Sequence, residues 1–275
     1  AHSEIFLWMY FCVENTTFAL QHQGRGKRST RLRVIVQRAM NQICKHLIDR
    51  ALPGVLDDLR AYSRGSETTG TQWITLWMAV RGISKTRPAW ILESGTGAST
   101  LVLAAAVQKL RRTHSDYHGQ IISMESVPEW FDIATANLPD TYKDVVEIVL
   151  GPREKFEMAM YRGYIHANIP QHDYAVVLLD APAFSDAEGI AFCADIFKVM
   201  DLSRAPIIHG VVDGRASSVM VIQQIFGTAA ARYWHGLYAA KFALPRINFR
   251  DTNLRTTRDF STSIFGRLEF VKFRR

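Results

Sequence analysis

An acidic residue and two glycines at close spacing are the clearest candidates for ligand chemistry in this chain. Glu93 precedes Gly95 and Gly97, in a segment that begins with the apolar run 90–92 and continues into a helical pattern over 101–110. Glycines let the backbone turn tightly and approach a ligand closely, and the following helix offers free N–H groups and the positive end of its dipole. The sequence therefore predicts a strand, a ligand-binding turn and a helix, with a nucleotide-like cofactor at the turn.

Two details of this turn distinguish between cofactor classes. A dinucleotide-binding turn needs glycine or alanine three residues after its second glycine, and this chain has Thr100 there. Glu93 stands two residues before the first glycine, where a carboxylate suits a cationic or amine-bearing ligand better than a pyrophosphate. Both details favour S-adenosylmethionine (SAM) over a dinucleotide.

The segment Glu93-Ser94-Gly95-Thr96-Gly97 resembles the acidic-x-Gly-x-Gly motif of class I SAM-dependent methyltransferases. Glu125 lies ~30 residues past this turn, where a carboxylate at the end of the second strand can accept the ribose hydroxyls. In that family the segment after the third strand builds the adenine pocket. The resemblance thus implies a cofactor site made of Glu93, Ser94, Gly95, Thr96, Gly97, Ser99, Glu125, Ser126, Gly151, Pro152, Arg153 and Asp180.

Methyl transfer to a hydroxyl requires an in-line arrangement of the reacting atoms and a base or metal ion that helps to remove the proton. Asp180 ends the predicted fourth strand and is the first candidate base. Asp213 ends the fifth strand and is the second candidate, and His209 within that strand is the third. Ala181 and Pro182 differ from the Asn/Asp-Pro-Pro-Tyr signature of enzymes that methylate exocyclic amines, so O-methylation is favoured.

Asp180 and Asp213 together raise the question of a divalent cation. Some small-molecule O-methyltransferases of this class bind one through carboxylates at the ends of these two strands, and hard cations such as Mg²⁺ need several oxygen ligands. Here Gly214 stands where the metal-dependent enzymes offer a further oxygen, and Arg215 adds a positive charge. The sequence therefore favours a protein base over Mg²⁺, with Asp213 paired with Arg215 or capping the next helix.

These residues can meet only if the surrounding strands align in one sheet. Strands that alternate with helices favour right-handed crossovers and a doubly wound sheet. The expected fold is α/β: a doubly wound, mostly parallel seven-stranded sheet of class I methyltransferase type, with an N-terminal helical extension. Its strands are predicted over 90–92, 120–125, 145–150, 173–180 and 205–212, with an antiparallel pair from 238–243 and 264–273.

The first part of the chain has a different pattern from the remainder. Apolar residues recur at helical spacing over 32–47, and a proline–glycine pair ends that pattern. Residues 63–70 are typical of a linker. The sequence therefore predicts a helical cap over 1–70 and a Rossmann-like SAM-binding catalytic domain over 71–275.

Composition places limits on the class of protein. The 275-residue chain is 48% hydrophobic, which is enough to bury a full core, and it has no apolar run of about 18 residues that would predict a transmembrane helix. Its three cysteines are widely spaced, so they predict buried thiols rather than disulfides or a metal cluster. Buried thiols suit a reducing, cytoplasmic location.

Positive charge is concentrated at the two ends of the chain. The formal net charge is +7, and residues 1–64 and 246–275 each carry an excess of five positive charges, whereas the segment between them is slightly acidic. This distribution predicts an anionic substrate or surface: RNA, a phosphorylated or nucleotide-linked small molecule, or acidic lipid. The predicted acceptor is a small-molecule or glycan-type compound. Aromatic residues are not interleaved with the basic run over 24–31, so RNA ranks second. A non-catalytic Rossmann-like binding subunit and a dehydrogenase are the further alternatives.

Overall fold

The computed structural model describes residues 26–64, 72–158, 161–180, 185–186, 189–190, 192–234 and 237–247. The helices are α1 (Gly26–Ala51), α2 (Val55–Arg64), α3 (Trp73–Thr86), α4 (Ala98–Thr113), α5 (Pro128–Asn137), α6 (Asp195–Leu202) and α7 (Ala216–Phe226). The strands are β1 (Trp90–Ser94), β2 (Gln120–Glu125), β3 (Val146–Leu150), β4 (Arg153–Met158), β5 (Tyr161–His166), β6 (Tyr174–Leu179), β7 (Ser185–Asp186), β8 (Gly189–Ile190), β9 (Phe192–Cys193), β10 (Ile207–Val212), β11 (Ala231–Trp234) and β12 (Ala239–Pro245).

Seven of these strands form one sheet, in the order β11-β12-β10-β6-β1-β2-β3. The five strands from β10 to β3 are parallel to their neighbours, and β12 pairs antiparallel with both β10 and β11. The chain moves outward from β1 to β3 and returns to β6 beside β1, so the strand order reverses between β1 and β6. This confirms the predicted doubly wound, mostly parallel seven-stranded sheet.

The antiparallel part of the sheet differs from the prediction in its pairing. We expected the strand at 238–243 to pair with 264–273, which lies outside the described residues. Instead, β12 pairs with β11, which precedes it closely in sequence. This pairing closes only a short loop, so it costs little loop-closure entropy. The sequence did not predict β11, because its four residues are too few to show the alternating pattern of a strand.

The chain between β3 and β6 forms a hairpin where strand–helix alternation would place a helix. β4 and β5 pair antiparallel, beginning with Arg153 opposite His166, and β5 also pairs in parallel with β9. Gly163 approaches β9 so closely that an added Cβ would be 2.7 Å from the Phe192 carbonyl oxygen. The hairpin therefore packs tightly, and it returns His166 to the carboxyl end of β3.

Side chains along the parallel strands alternate between two apolar cores on opposite faces of the sheet. Ile91 and Ile121 pack with α1 to α4 in one core. Leu92 and Ile122 pack with the hairpin, α6 and α7 in the other core. Because both faces are covered, the polar residues of the site lie where the strands end rather than along them.

The N-terminal helices share a core with one face of the sheet. In α1 the buried residues Met40, Cys44 and Ile48 recur every four positions, which is one face of a helix. The apolar stripe expected over 32–47 is displaced from this face, because Ile35 is 63% exposed. The boundary between cap and catalytic domain stays a prediction. None of the described helices combines the length and apolar character needed to cross a bilayer.

Candidate cofactor and active site

The glycine turn after β1 has the backbone shape that its residues predict. Gly95 has a φ of +96°, a conformation that favours glycine. At Gly97 an added Cβ would have no described neighbour within 4 Å, so the turn is uncrowded there. The Thr100 hydroxyl accepts the Gly97 N–H at 3.0 Å, and the Thr96 hydroxyl is hydrogen-bonded to the Ser123 hydroxyl on β2. Hydrogen bonds thus hold the turn and leave space at Gly97.

Glu93 is fully buried beneath this turn. Its Oε2 accepts hydrogen bonds from the hydroxyls of Thr100 at 2.6 Å and Ser123 at 2.7 Å. Its Oε1 is buried and has no hydrogen-bond partner of normal geometry among the described residues. Burial raises the pKa of Glu93 to about 7, although the hydroxyls of Ser99, Thr100 and Ser123 lower it. The carboxyl supports the turn, and its contact with a ligand amine stays a prediction.

Glu125 ends β2, one strand away from the turn. Its Oε1 accepts the backbone N–H groups of Ser126 at 2.7 Å and Val127 at 2.9 Å, which fixes the carboxylate at the start of α5. The Gly151 N–H donates to the Glu125 carbonyl at 2.7 Å. These hydrogen bonds bring the predicted ribose-binding carboxylate and the predicted adenine-binding segment next to each other.

The segment after β3 is shaped by the hairpin that follows it. The Pro152 carbonyl accepts the Ala167 N–H at 2.9 Å. The exposed Arg153 begins β4, and its guanidinium lies over the Tyr164 ring, 5.1 Å from the ring centroid. The hairpin therefore sets the backbone at Pro152 and the direction of Arg153, whereas adenine binding by this segment stays a prediction.

Two acidic residues meet at the carboxyl ends of β6 and β10. The Asp180 N–H donates to the Ser94 carbonyl at 3.0 Å, which ties the end of β6 to the cofactor turn. The Arg215 guanidinium lies between the two carboxylates, with Nη1 3.2 Å from Asp180 Oδ1 and 2.7 Å from Asp213 Oδ2. The Asp213 carboxylate also accepts the Arg215 backbone N–H at 3.1 Å. The structure thus contains the Asp213–Arg215 pair that the sequence predicts.

The two carboxyls differ in exposure and in electrostatics. The Asp180 side chain is 46% exposed and that of Asp213 only 13%. Burial raises the pKa of Asp213 to about 7; Arg215 opposes this rise, and the charge of Asp180 adds to it. An acid that titrates near neutral pH beside an exposed carboxylate is suited to proton transfer. Arg215 would repel a metal ion, and the described residues contain no group of three side chains able to ligate one.

His209 does not join this group. It pairs with Val176 and Ala243 within the sheet, three residues before the end of β10. At about 3.3 Å per residue, this places it about 10 Å from the end of the strand. Burial and the charge of Lys85 on α3 lower its pKa. The structure therefore gives no support to the predicted catalytic role of His209, because lying on the right strand does not bring a side chain to its carboxyl end.

A buried polar group on the hairpin side of β1 was not predicted. Ser94 Oγ and His166 Nδ1 each lie 2.6 Å from Asp195 Oδ2, and all three residues are almost completely buried. His166 is the last residue of β5. The polar strand β4 lacks a clear apolar–polar alternation, so the hairpin gives no periodic signal.

The strand order, together with the turn, decides the type of fold. An acidic glycine turn lies where the order of a seven-stranded sheet reverses, and one antiparallel strand stands next to the far edge. The fold is that of a class I methyltransferase. Ligands of open α/β sheets bind beyond the carboxyl ends of the strands at such a reversal. In this class I methyltransferase fold, the reversal is where the glycine turn and Asp180 lie.

Solved structures that resemble this chain include three methyltransferases. The O-methyltransferase from Bacillus cereus, in complex with S-adenosylhomocysteine (SAH), is 18% identical, with a TM-score of 0.47 over 75% of this chain and 97% of its own. The O-methyltransferase TomG from Streptomyces achromogenes, involved in tomaymycin synthesis and in complex with SAM, is 16% identical, with a TM-score of 0.47 over 76% and 98%. The SAH-bound methyltransferase PaMTH1 from Podospora anserina is 13% identical, with a TM-score of 0.43 over 67% and 73%. No family model matches the chain, and no curated protein matches its sequence.

Proposed function

We propose that this chain is a SAM-dependent methyltransferase that transfers a methyl group to an oxygen of a small-molecule acceptor. The observation that carries the proposal is the placement of three features around the reversal of strand order. These are the glycine turn after β1, the Glu125 carboxylate one strand away, and the Asp180–Arg215–Asp213 group on the other side. Methyl transfer to a hydroxyl requires a turn that holds the cofactor and a carboxylate that can take the hydroxyl proton.

The residues around the turn fit SAM in charge and in space. Gly97 leaves space beside the turn. Backbone N–H groups hold Oε1 of Glu125, which leaves its Oε2 for a ribose hydroxyl. Oε1 of Glu93, which has no hydrogen-bond partner of normal geometry among the described residues, is a candidate acceptor for a ligand amine. SAM, when bound, supplies the methyl group and carries the positive charge of its sulfonium and amino groups.

Asp180 is the proposed base. Its carboxylate is partly exposed and oriented by Arg215, and its backbone is hydrogen-bonded to the turn at Ser94. A proton taken from an acceptor hydroxyl would be shared between Asp180 and Asp213, because the two carboxyls interact: the charge of Asp180 and a hydrogen bond with it raise the pKa of Asp213. Arg215 stabilises whichever of the two is ionised.

Ala181 and Pro182, whose identities favour O-methylation, lie outside the described residues, as do the side chains of the basic run 24–31 and the segment after residue 247. An anionic or glycan-type acceptor, with RNA as its alternative, therefore stays a prediction. The carboxyls of Asp180 and Asp213 support the proposal of O-methylation, because a carboxylate can take the proton of a hydroxyl.

Calorimetric titration with SAH tests the cofactor. We expect the wild-type chain to bind SAH, and we expect Glu125→Ala to weaken binding ~10-fold or more, about one charge-assisted hydrogen-bond pair. Asp132→Ala, an exposed acid on α5, is the matched control and should leave Kd unchanged. Failure of the wild type to bind SAH, or an equal loss in both variants, would contradict the assignment.

A methyl-transfer assay tests the acceptor class. Release of SAH from SAM is measured with panels of phenols, catechols, sugars, amines and RNA, each with EDTA and with Mg²⁺. We expect turnover with a hydroxylated small molecule, and we expect EDTA not to abolish it. Transfer only to amines or RNA would exclude the proposed acceptor class, and dependence on Mg²⁺ would exclude the protein base.

A further inference from the structure

A buried carboxylate beneath the cofactor turn has no part in the chemistry described so far. Asp195 is the first residue of α6 and is fully buried. Its Oδ2 accepts the Ser94 hydroxyl and His166 Nδ1, each at 2.6 Å, and its Oδ1 accepts the His166 backbone N–H at 2.7 Å. Three short hydrogen bonds to one carboxylate hold the donors in fixed positions.

The two donor residues come from different parts of the site. Ser94 precedes the glycine turn, and its carbonyl accepts the Asp180 N–H at 3.0 Å. His166 ends the hairpin, and its Cβ lies 3.1 Å from the place that a Cβ on Gly151 would take. Asp195 therefore links the cofactor turn, the peptide of the proposed base and the predicted adenine-binding segment.

The groups that face His166 favour a charged imidazole. Burial lowers the pKa of His166, but the charge and hydrogen bond of Asp195 raise it by more, so the pKa lies above its usual value. Glu125 adds to this rise, and Arg153 opposes it. Cys193 beside Asp195 remains a neutral thiol, because burial raises its pKa well above the usual value. When protonated, the imidazole forms a buried ion pair with Asp195, with Nδ1 2.6 Å from Oδ2.

The second ring nitrogen of His166, Nε2, lies in an unusual environment for a polar atom. His166 Nε2 is buried and has no hydrogen-bond partner among the described residues, although buried polar atoms are nearly always paired. The imidazole therefore gives up one hydrogen bond to stay against Asp195. The hydrogen bond between Nδ1 and that carboxylate is the interaction that the structure retains.

This arrangement is not a hydrolytic triad. In such a triad the imidazole lies between the hydroxyl and the carboxylate and takes the proton of the hydroxyl. Here the carboxylate lies between the other two groups, and Ser94 donates directly to Asp195. Ser94 is therefore held in position and not activated as a nucleophile.

We propose that Asp195 and His166 are positioning residues of the cofactor site: Asp195 fixes Ser94 and, through the Ser94 carbonyl, Asp180, and His166 holds the Asp195 carboxylate through its ring and backbone N–H groups. The proposal rests on the proposed function. When His166 loses its proton, Asp195 is left as a buried carboxylate without a compensating charge, and it holds the turn less firmly. Cofactor binding and protonation of His166 are therefore coupled, and bound cofactor must favour the protonated imidazole.

Titration of the His166 imidazole by NMR, with and without SAH, is the decisive test. The ring C–H signal is identified by its loss in His166→Gln. We expect saturating SAH to raise the titration midpoint by about 0.5 unit or more, which corresponds to about 3-fold tighter binding by the protonated form. An unchanged midpoint in SAH-saturated protein would overturn the proposal.

Calorimetry on variants provides a second measure. We expect His166→Gln to weaken SAH binding ~10-fold near neutral pH. The double variant Asp195→Asn/His166→Gln should recover part of that loss, since two neutral amides can satisfy each other without a buried charge. His172→Gln is the matched control, because His172 stacks on Trp90 at the opposite end of β1 with ring centroids 3.5 Å apart. The Kd of His172→Gln for SAH should equal that of the wild type.

The outcomes separate this proposal from the proposed function. If the wild type does not bind SAH, the proposed function fails. If the wild type binds SAH but His166→Gln only lowers the thermal midpoint and leaves Kd unchanged, His166 has a merely structural role. That second result would overturn the positioning role alone.

Discussion

Arg215 donates to the Asp180 carbonyl at 2.7 Å and pairs with the Asp180 carboxylate at 3.2 Å, so one guanidinium fixes both the backbone and the side chain of this residue. The Arg215 side chain is only 7% exposed. A cation buried to this degree depends on its acidic partners, and they depend on it. The position of Asp180, the proposed base, therefore depends on its ion pair with Arg215.

Replacing Arg215 should destabilise the fold. Arg215→Met leaves Asp213 buried without its cation, and because Arg215 lowers the pKa of Asp213, that pKa should rise further. We expect the free energy of unfolding to fall by about 3 kcal/mol, as for other buried pairs that lose one partner. Arg204→Met, which breaks an exposed pair with Asp173, should lower it far less, because water screens that pair. If urea denaturation shows that both variants lower the free energy of unfolding equally, the buried ion pair stabilises the fold no more than the exposed pair does.

Asp180→Asn separates a role in proton transfer from a role in cofactor binding. If Asp180 is the base, kcat should fall by ~10²- to 10⁴-fold, while Kd for SAH stays close to the wild-type value. Asp116→Asn, an exposed acid remote in sequence, should change neither quantity. A parallel loss of SAH affinity and turnover would make Asp180 a cofactor ligand instead.

Glu93 should make stability fall as pH rises. Its pKa of about 7 in the folded chain lies above the ordinary value of 4.5, so between these values the unfolded chain has released a proton that the folded chain retains. The free energy of unfolding therefore decreases from about pH 4.5 to about pH 7 and levels off above. Glu93→Gln should reduce the fall in the free energy of unfolding between pH 5 and pH 8 by on the order of 2 kcal/mol. Urea denaturation at pH 5 and pH 8 measures the effect, and Glu147→Gln, an exposed acid on β3, should retain the wild-type slope.

Two glycines provide a matched pair of substitutions. An added Cβ on Gly151 would collide with the Ala167 carbonyl and lie 2.6 Å from Met124 Cε, so Gly151→Ala should destabilise the chain by about 2 kcal/mol. An added Cβ on Gly82 in α3 meets nothing within 4 Å, and Gly82→Ala should stabilise the helix by about 0.5–1 kcal/mol. Thermal unfolding measures both changes. A Gly151→Ala variant as stable as the wild type would contradict the close approach of β3 and the hairpin.

The parts of the fold that local sequence determines were predictable. β1, its glycine turn and α4 are continuous in sequence, so the apolar run and the glycines were enough to place them. The doubly wound sheet follows from the alternation of apolar strands with helices. The short strand β11 escaped prediction, because four residues carry too little periodic pattern.

The parts of the site that depend on distant residues were not predictable. His166 and Asp195 are 29 residues apart, and neither lies in a motif. Their contact arises only after the hairpin and α6 pack on the same face of the sheet, and side-chain identity alone does not reveal such packing. His209 has a side chain that could act as a base and lies on a strand that ends at the site. Its position within β10, three residues before the end of the strand, keeps it away from Asp180 and Asp213.

The hydrogen bond from Ser94 to Asp195 joins residues 101 positions apart in the chain. Contacts of such long sequence separation form late in folding, after most of the loop-closure entropy has been lost. The β1–α4–β2 segment can assemble from local contacts well before α6 arrives to complete the support of the turn. The support of the proposed cofactor site therefore depends on a contact that closes a long loop and joins the two halves of the chain.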